Sequence, residues 1–287
     1  KIDVRGKVGR RARQLGYVLA HPLRHWRLQR LIAAAQRKGV AAPDRSIGWK
    51  YLGEYLAGDL STADRARLIG SHYRFLLRRL PEEALRRAWA RGLRLWERQV
   101  GEDAYVIRLA QSTFSAMEGE TQLSFFRNEA RLFTLTFALV GGRALGLAYD
   151  SAMFIGGMQG GYQCRHTNRL AARDNGEIAP SAMVVIAARA VAQMLGIDQI
   201  AAVSSGRQAA AAYAGGKIRF SYDDHWRQLG SDRFTNGFFL VDPSPASRNL
   251  DHLSPAHRAR ARRKARLKNA LAAEMQHNLE RQLQAAR

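Results

Sequence analysis

Two carboxylates near the middle of the chain are spaced for proton transfer. Glu118 and Glu120 flank Gly119 in the stretch MEGETQ, just before a run of strand-forming residues. Side chains at positions i and i+2 of a strand point to the same face, so both carboxylates could enter one pocket. Mutual repulsion would raise the pKa of one of them and make it a general base. The alternative is that both face solvent where the strand begins.

A glycine-rich run, MFIGGMQGGYQCRHTNR at residues 153–169, has the composition of an anion site. We expect a strand that ends at Ile155, after which glycines let a ligand approach the backbone. The N-terminus of a helix that begins at Pro180 would complete the site. The alternative is a bulge and a loop without a ligand, since the run matches neither a Walker loop nor a dinucleotide fingerprint. The candidate binding residues are Gly157, Gln159, Gly160, Gly161, Arg165, His166 and Arg169.

A third polar cluster is SYDDHWRQLG at residues 221–230. Its Tyr222 is a candidate proton donor to a leaving group. Asp223, Asp224 and His225 resemble a metal or acid–base cluster, but adjacent side chains do not point one way, so we predict no metal site. The alternative is that one of the two aspartates caps a short helix.

Two other residues invite a chemical interpretation. Cys164, the only cysteine, would share a strand face with His166, and the neighbouring Arg165 would lower the thiol pKa, which allows thiol catalysis. A single cysteine excludes an intramolecular disulfide and a cysteine-rich zinc site. His72 lies on the apolar face of a predicted helix, where we expect a hydrogen-bonded packing residue rather than a catalyst.

The elements that must position these residues follow from the periodicity of the sequence. A helix is predicted from Ser61 or Thr62, and a second one over residues 81–99, which begins at Pro81. Strand-like runs at 104–110, 121–126, 131–140 and 144–157 predict an antiparallel meander with turns at RNEA and GGR. The Pro180 helix and the strands at 199–205 and 238–241 then give a β-α-β arrangement.

The fold class predicted from this pattern is mixed α/β (α+β), with a mainly antiparallel sheet, a helical N-terminal third and a basic C-terminal helix. We divide the chain into a helical, basic extension at 1–100, a mixed body with the candidate ligand site at 101–254, and the C-terminal helix at 255–287. No run of 18 apolar residues predicts a transmembrane span. The cytoplasm is the expected location, with a removed leader as an alternative, since the chain begins at Lys1.

The formal net charge of +22 is concentrated in two arms. Residues 1–50 carry 13 Lys and Arg against two acids, and residues 255–287 carry 9 against two, which together give +18. Expected partners are therefore polyanions: an anionic membrane lipid, an acidic carrier protein, or a nucleic acid such as tRNA. The first arm mixes Arg with Leu and Trp, so it either lies in a lipid interface or docks on the body. A leucine and methionine stripe in the second arm is expected to pack on the body; it comprises Leu267, Leu271, Met275, Leu279 and Leu283.

The order of several short motifs resembles the VirK/YbjX family of Gram-negative bacteria over roughly residues 15–275. These motifs are HPLRH, DLSTADRARLIGSHY, EGETQLSF, RLFTLTFAL, FIGGMQG, SYDDHW and FFLVDPSP. The resemblance implies a cytoplasmic bacterial protein linked to virulence, remodelling of the envelope or lipid A, and resistance to antimicrobial peptides. It supplies no reaction and no catalytic residue. The chain departs from the family where SSGRQAAAA lacks the histidine expected after the strand that follows the Pro180 helix.

The order meander, glycine-containing strand, helix and closing strand is also similar to the GCN5-related N-acyltransferases. That resemblance implies a CoA thioester as donor, Glu118 or Glu120 as base, Tyr222 as proton donor, and backbone amides at Gln159–Gly161 that polarise the thioester or hold phosphate. QGGYQC departs from the phosphate loop of those enzymes, and about 18 residues separate it from the Pro180 helix. A donor on an acidic carrier protein or a tRNA is therefore an alternative. The function expected is an acyl-type transferase; the alternative is a peripheral membrane or lipid-binding virulence protein without chemistry.

Overall fold

Helices form the N-terminal part of the chain in this computed structural model, which describes residues 15–39, 41, 45–112, 116–161, 164–209, 221–231, 233–244 and 254–286. Residues 15–20 are helical, and His21 separates them from helix α1, which begins at Pro22. Residues 1–14 of the basic arm lie outside the described part. The N-terminal elements are α1 (Pro22–Arg37), a 3₁₀ helix (Arg45–Leu52), α2 (Thr62–Arg79) and α3 (Glu82–Ala90).

The described strands form one eight-stranded sheet in the order β1-β2-β3-β4-β5-β6-β8-β7. Every neighbouring pair is antiparallel except β5 and β6, which run parallel. The prediction of a mixed, mainly antiparallel sheet is confirmed. The strands are β1 (Leu93–Val100), β2 (Asp103–Gln111), β3 (Thr121–Arg127), β4 (Ala130–Val140), β5 (Ala152–Gly160), β6 (Gln199–Val203), β7 (Arg233–Thr235) and β8 (Phe238–Val241).

Four further helices connect or follow these strands. The first two separate the parallel strands β5 and β6, as a parallel crossover requires. The third precedes β7, and the last ends the described chain. They are α4 (Arg165–Asp174), α5 (Pro180–Met194), α6 (Tyr222–Gln228) and α7 (Pro255–Gln284).

Several local sequence signals are confirmed. The side chain of Ser61 accepts a hydrogen bond from the backbone N–H of Asp64 and caps α2. Asn128 and Glu129 have φ of +48° and +63°, which is the backbone of a two-residue type I′ hairpin turn between β3 and β4. The helix that was predicted from Pro180 is present, and Gly196 with φ of +62° follows its end.

Three predicted boundaries are wrong. The helix that was expected over residues 81–99 ends at Ala90, because Gly92 takes φ of +75° and the next residues form the edge strand β1. Residues 144–151 are not part of a strand, and β5 starts at Ala152. The same strand does not end at Ile155 but continues to Gly160, with Gly157 and Gly160 paired with β4 and Gly156 skipped at a bulge.

The two faces of the meander differ in chemistry because side chains alternate along each strand. One face carries Leu123, Phe125 and other apolar residues and lies under α5 and α7. The other carries Gln122, Ser124 and Thr134, all buried. Helix α2 packs against β4, at the end of the sheet where the two candidate carboxylates lie.

The C-terminal helix packs on the body through its predicted stripe, of which Leu271, Met275, Leu279 and Leu283 are buried. It contacts α5 and β1, and the indole N–H of Trp96 donates to Glu274 at 3.1 Å. The side chain of Ser254 caps it, as the Ser-Pro start predicts. Across the described ranges, no helix combines the length and the apolar character needed to cross a bilayer.

Candidate functional site

Glu118 and Glu120 lie in the interior, at the entrance to β3. Their relative exposures are 5% and 3%, so the alternative that they face solvent is wrong. Gly119 between them has φ of +151°, and a Cβ there would lie 2.6 Å from the backbone of Phe137. Only glycine fits that position, and it carries the two carboxylates into the protein on either side of a tight backbone contact.

Glu120 belongs to a buried ion pair. The ammonium of Lys50, in the 3₁₀ helix, donates to Glu120 Oε1 at 2.6 Å, and the hydroxyl of Tyr73, in α2, donates to Oε2 at 2.6 Å. Burial alone would raise the pKa of Glu120, but the charge of Lys50 and the hydrogen bonds from Lys50 and Tyr73 outweigh it and hold the pKa below its ordinary value. The expectation that repulsion raises this pKa is therefore wrong for Glu120, which is ionised and committed to its partners.

Two further buried groups surround this ion pair. His72 is fully buried, and its Nδ1 accepts a hydrogen bond from the backbone N–H of Leu139 at 3.0 Å, which confirms the packing interpretation. Burial lowers the pKa of His72 to about 4, so the ring is neutral. Tyr55 lies beside Lys50, and burial followed by the charge of Glu120 raises its pKa well above the ordinary value.

Glu118 faces a different set of partners. Its Oε1 accepts a hydrogen bond from the side-chain amide of Gln208 at 2.6 Å. A Cβ on Gly156 would overlap the carbonyl of Glu118, and a Cβ on Gly157 would overlap its carboxylate. The glycine pair that was expected to admit a ligand thus makes room for Glu118. The MEGETQ carboxylate and the glycine run therefore belong to one packing arrangement.

The pairing of the parallel strands β5 and β6 ends beside this carboxylate, because β6 itself ends at Val203. They pair only from Ala152 with Gln199 to Ile155 with Ala202, although β5 continues to Gly160. The register between β4 and β5 shifts at the same place, which identifies a bulge that redirects β5. Beyond Ile155, the backbone edge of β5 on the side of β6 has side chains, not a strand, as its neighbours.

Tyr222, from α6, occupies that edge. Its hydroxyl accepts a hydrogen bond from Met158 N–H and donates one to Met158 C=O, both at 3.0 Å, so one side chain takes the place of a strand partner. Gln208 also donates to this hydroxyl at 3.4 Å, which joins it to Glu118. Burial, and then the charge of Glu118, raise the pKa of Tyr222, so the phenol keeps its proton.

The predicted ligand residues of the glycine run do not form one cluster. Gln159 and Gly160 are the last residues of β5, and the N–H of Gly161 donates to the carbonyl of Leu132 at 2.9 Å. That amide is therefore already committed, and a Cβ on Gly161 would overlap the Arg131 carbonyl rather than open space. The glycines at this end of the strand serve close packing as well.

The cations of the run lie on a helix that the sequence analysis missed. Arg165, His166 and Arg169 are exposed on the first turns of α4, whose N-terminal turn has no acidic residue. The helix begins within five residues of Gly160 and precedes the Pro180 helix, which was expected to be the first one after the glycine run. Cys164 is the N-cap of α4, so it does not share a strand face with His166, and its thiol lies 3.7 Å from the Arg131 carbonyl.

The 221–230 cluster is structural apart from Tyr222. The cap of α6 is Ser221, whose hydroxyl accepts from Asp224 N–H, so the expectation that an aspartate caps this helix is wrong. The carboxylate of Asp223 instead accepts from Ser205 N–H at 2.7 Å. Within the described part of the chain no group of three or more His, Cys, Asp or Glu is placed to hold a metal ion.

Sequence reasoning missed four members of the buried cluster: Lys50, Tyr55, Tyr73 and Gln208. Lys50 lies in a strongly basic segment, where one lysine with an interior partner cannot be told from its solvated neighbours. Tyr73 is on the apolar face of α2, where it has the pattern of a core residue. The only available signal was the presence of two acids at the start of a predicted strand, because a buried pair of carboxylates would require cationic or hydrogen-bonding partners.

Residues 4–277 match the family described as "Protein of unknown function (DUF535)". The chain belongs to the DUF535 family. Neither the curated proteins nor the solved structures contain a match to it. The match includes the residues around Glu118 and Glu120 and the part of β5 beyond its pairing with β6, so both lie within the family region of this DUF535 chain.

Proposed function

We propose that the chain is an acyl-type transferase whose reaction takes place where β5 continues beyond its pairing with β6. The observation that carries the proposal is the backbone edge of Met158, which is held by a neutral phenol instead of a strand. Glu118 and Tyr222 meet beside this edge, joined through Gln208. An acid, a base and an exchangeable backbone edge are the groups that acyl transfer to an amine or hydroxyl requires.

A donor with a pantetheine-type amide fits this edge. Its amide would hydrogen-bond to Met158 N–H and C=O in place of the Tyr222 hydroxyl, in the manner of an added strand. The phosphates of CoA fit the N-terminal turns of α4, where Arg165, His166 and Arg169 are exposed. They do not fit the amide of Gly161, which is bound to Leu132. The same edge suits the prosthetic arm of an acyl carrier protein, and the net charge of +22 favours an acidic carrier.

The proposed chemistry uses the two groups in opposite roles. Glu118 takes a proton from the attacking amine or hydroxyl as its N or O forms a bond to the thioester carbon. The carbon–sulfur bond then breaks, and the released thiolate takes the proton that Glu118 holds, which restores the base. The raised pKa of Tyr222 keeps the phenol protonated, so its hydroxyl can donate a hydrogen bond to the leaving sulfur as negative charge develops there.

Glu120 has a positioning role in this proposal. Its carboxylate is bound to Lys50 and Tyr73 and its pKa is lowered, so it is a poor base. It anchors the backbone turn through Gly119 from which Glu118 projects. The two acids of MEGETQ, which the sequence could not distinguish, are thus assigned different tasks.

The biological setting of the proposal comes from the resemblance to the VirK/YbjX family. It supports a location in the bacterial cytoplasm and an acceptor that belongs to the envelope or lipid A, in a role connected with resistance against cationic peptides. An amine or hydroxyl on a membrane lipid is the acceptor that this setting favours.

The test is thermal unfolding of the purified protein with CoA, acyl-CoAs of several lengths and acyl carrier protein. A donor at 100 times its dissociation constant should add about 2.7 kcal/mol to the free energy of unfolding, which raises Tm by several degrees. We expect a shift with one thioester donor. The matched control is the double variant Arg165→Ala and Arg169→Ala, which should lose the shift for CoA thioesters because their phosphates lose their partners. No shift with any thioester, in a protein that melts cooperatively, would overturn the proposal.

A further inference from the structure

Large exposed apolar side chains are concentrated at one place on the described surface. Of six such residues, only Phe234 lies elsewhere. The other five define the N-terminal apolar face: Leu15 at 60% exposure, Leu19 at 70%, Leu23 at 67%, Trp26 at 53% and Trp49 at 49%. A group of this kind on a folded surface marks an interaction site more often than isolated apolar residues do.

The members of this face are neighbours. Leu15 and Leu19 are four residues apart in a helical segment, and Leu23 and Trp26 are three apart in α1, so each pair shares a helix face. Trp49, in the 3₁₀ helix, is exposed next to the same arm, because its ring lies 4.6 Å from that of His25 in α1.

The face is not a misplaced part of the core. On the opposite side of α1, Leu28, Ile32 and Ala35 are buried. The helix is also fixed by two polar contacts, His25 Nδ1 with the Tyr51 hydroxyl at 2.8 Å and the Gln29 amide to Gly48 C=O at 2.7 Å. Docking on the body therefore explains one side of the arm and leaves the other side, with two tryptophans, turned outward.

Positive charge borders the apolar side chains. Arg24, Arg27 and Arg30 are exposed on α1, and the guanidinium of Arg30 lies 4.7 Å from the centre of the Trp26 ring. From Leu15 to Pro43 the sequence has no acidic residue. Apolar anchors with Trp, surrounded by arginines without acids, match the chemistry of an anionic lipid headgroup layer over acyl chains.

We propose that the N-terminal apolar face docks the protein on the surface of an anionic phospholipid bilayer. Leu15, Leu19 and Leu23 enter the region between headgroups and acyl chains, the two tryptophans lie at the headgroup level, and the arginines bind phosphates. Lys50 follows Trp49 in the sequence and is paired with Glu120. Docking therefore brings the 3₁₀ helix, which supplies this lysine to the buried ion pair, to the membrane. The inference does not depend on whether the chain is an enzyme.

The test is flotation of the full chain with vesicles of phosphatidylglycerol and phosphatidylethanolamine, and with vesicles of phosphatidylcholine alone. We expect binding to the anionic vesicles and little to the neutral ones. The triple variant Leu19→Ser, Leu23→Ser and Trp26→Ser should bind at least about tenfold more weakly, because each of these apolar side chains contributes free energy of binding when it is buried in lipid. The matched control is Phe234→Ser, a similarly exposed side chain on β7, which should bind like the parent.

Tryptophan emission gives a second readout that is independent of charge. Vesicles with brominated acyl chains should quench the parent. The quenching should largely disappear in the variant Trp26→Phe and Trp49→Phe, since Trp96 and Trp226 are buried and Trp89 is partly buried. About 0.5 M salt should weaken binding without abolishing it, because the apolar part is not screened. Vesicle binding that the triple variant retains in full, or affinity for a nucleic acid without affinity for vesicles, would overturn the proposal.

Discussion

The carboxylate of Glu118 fills the space that a side chain on Gly157 would occupy. A Cβ built on Gly157 would overlap this carboxylate, and the neighbouring Gly156 is packed in the same way against the Glu118 carbonyl. A bulge in β5 lies at this pair of glycines. The loop before β3 and the middle of β5, some 40 residues apart in sequence, therefore specify each other.

The first prediction is that Gly157→Ala destabilises the protein by about 1–3 kcal/mol, because the added methyl group forces Glu118 out of its position. Gly206→Ala should have little effect, since nothing lies within 4 Å of a Cβ there. Urea unfolding of both variants measures the difference. Adding Glu118→Ala to Gly157→Ala should cost less than the two single changes together, and additivity would contradict the proposed contact.

Local signals were sufficient for much of the fold. Ser61, the Asn128–Glu129 turn and Pro180 each act through neighbouring backbone, so their effects could be predicted from a few residues. β1 could not, because LRLWERQ is compatible with a helix as well as an edge strand. The positive φ at Gly92 decides between the helix and the strand. From the sequence alone, a glycine that ends a helix cannot be distinguished from a glycine inside one.

The candidate site shows a different limit. The sequence identified Glu118, Glu120 and Tyr222 as chemically capable, and the structure brings Glu118 and Tyr222 together through Gln208. The sequence could not predict that glycines of β5 make room for Glu118 instead of a ligand, because either close contact requires glycine. Nor could it pair Lys50 with Glu120 across 70 residues of chain.

The second prediction concerns the buried ion pair of Lys50 and Glu120. Glu120→Gln should lower the free energy of unfolding by about 3 kcal/mol, because it leaves a buried ammonium without a counter-charge. Glu83→Gln is the control: it breaks the exposed pair with Arg87 and should cost no more than about 0.5 kcal/mol. The double variant Lys50→Met and Glu120→Leu should be more stable than Glu120→Gln. Equal losses in the control and in Glu120→Gln would show that the pair is solvated.

The third prediction is a pH dependence that arises from His72. Burial lowers its pKa from 6.5 to about 4; the charge of Glu120 opposes this shift and that of Lys50 reinforces it. Between pH 6.5 and 4 the unfolded chain binds a proton at this residue that the folded chain does not, so stability falls as the pH falls. The loss approaches about 3 kcal/mol.

His72→Asn separates this effect from other titrations, because its side-chain oxygen can still accept from Leu139 N–H. Urea unfolding at pH 7 and pH 4.5 should show a smaller loss in the variant than in the parent. The carboxylate of Glu120, whose pKa is lowered, acts in a different window: its stabilising contribution is lost below about pH 4.5. Parallel pH profiles for parent and variant would contradict the neutral, buried state of His72.

The fourth prediction tests whether the C-terminal helix is part of the folded body. Met275 lies on the buried side of α7 and has no exposed surface. Met275→Ala should cost about 2–4 kcal/mol through lost burial and a cavity. Arg266→Ala, on the exposed side of the same helix, should change stability by less than about 0.5 kcal/mol. If Met275→Ala made α7 unfold more easily while the rest of the protein unfolded as before, the helix would be only loosely attached to the body.

The fifth prediction concerns the hydroxyl of Tyr222 and the backbone of Met158. Tyr222→Phe removes the group that both donates to and accepts from Met158, so the free protein should lose about 1–2 kcal/mol of stability. If a donor amide replaces this hydroxyl, the donor no longer competes with it, and the variant should bind the thioester more tightly. The same variant lacks the hydroxyl that donates a hydrogen bond to the leaving sulfur, so turnover should fall by roughly 10²-fold.

Binding and turnover should therefore change in opposite directions in Tyr222→Phe, which a purely structural role would not produce. Calorimetric titration with the donor and a thiol-release assay measure the two quantities on the same sample. The matched control is Tyr105→Phe, because the hydroxyl of Tyr105, on β2, bonds to Asp174 and not to the edge of β5. That control should lose comparable stability and keep both donor affinity and turnover. Weaker donor binding in Tyr222→Phe would show that the hydroxyl serves only to close the strand edge.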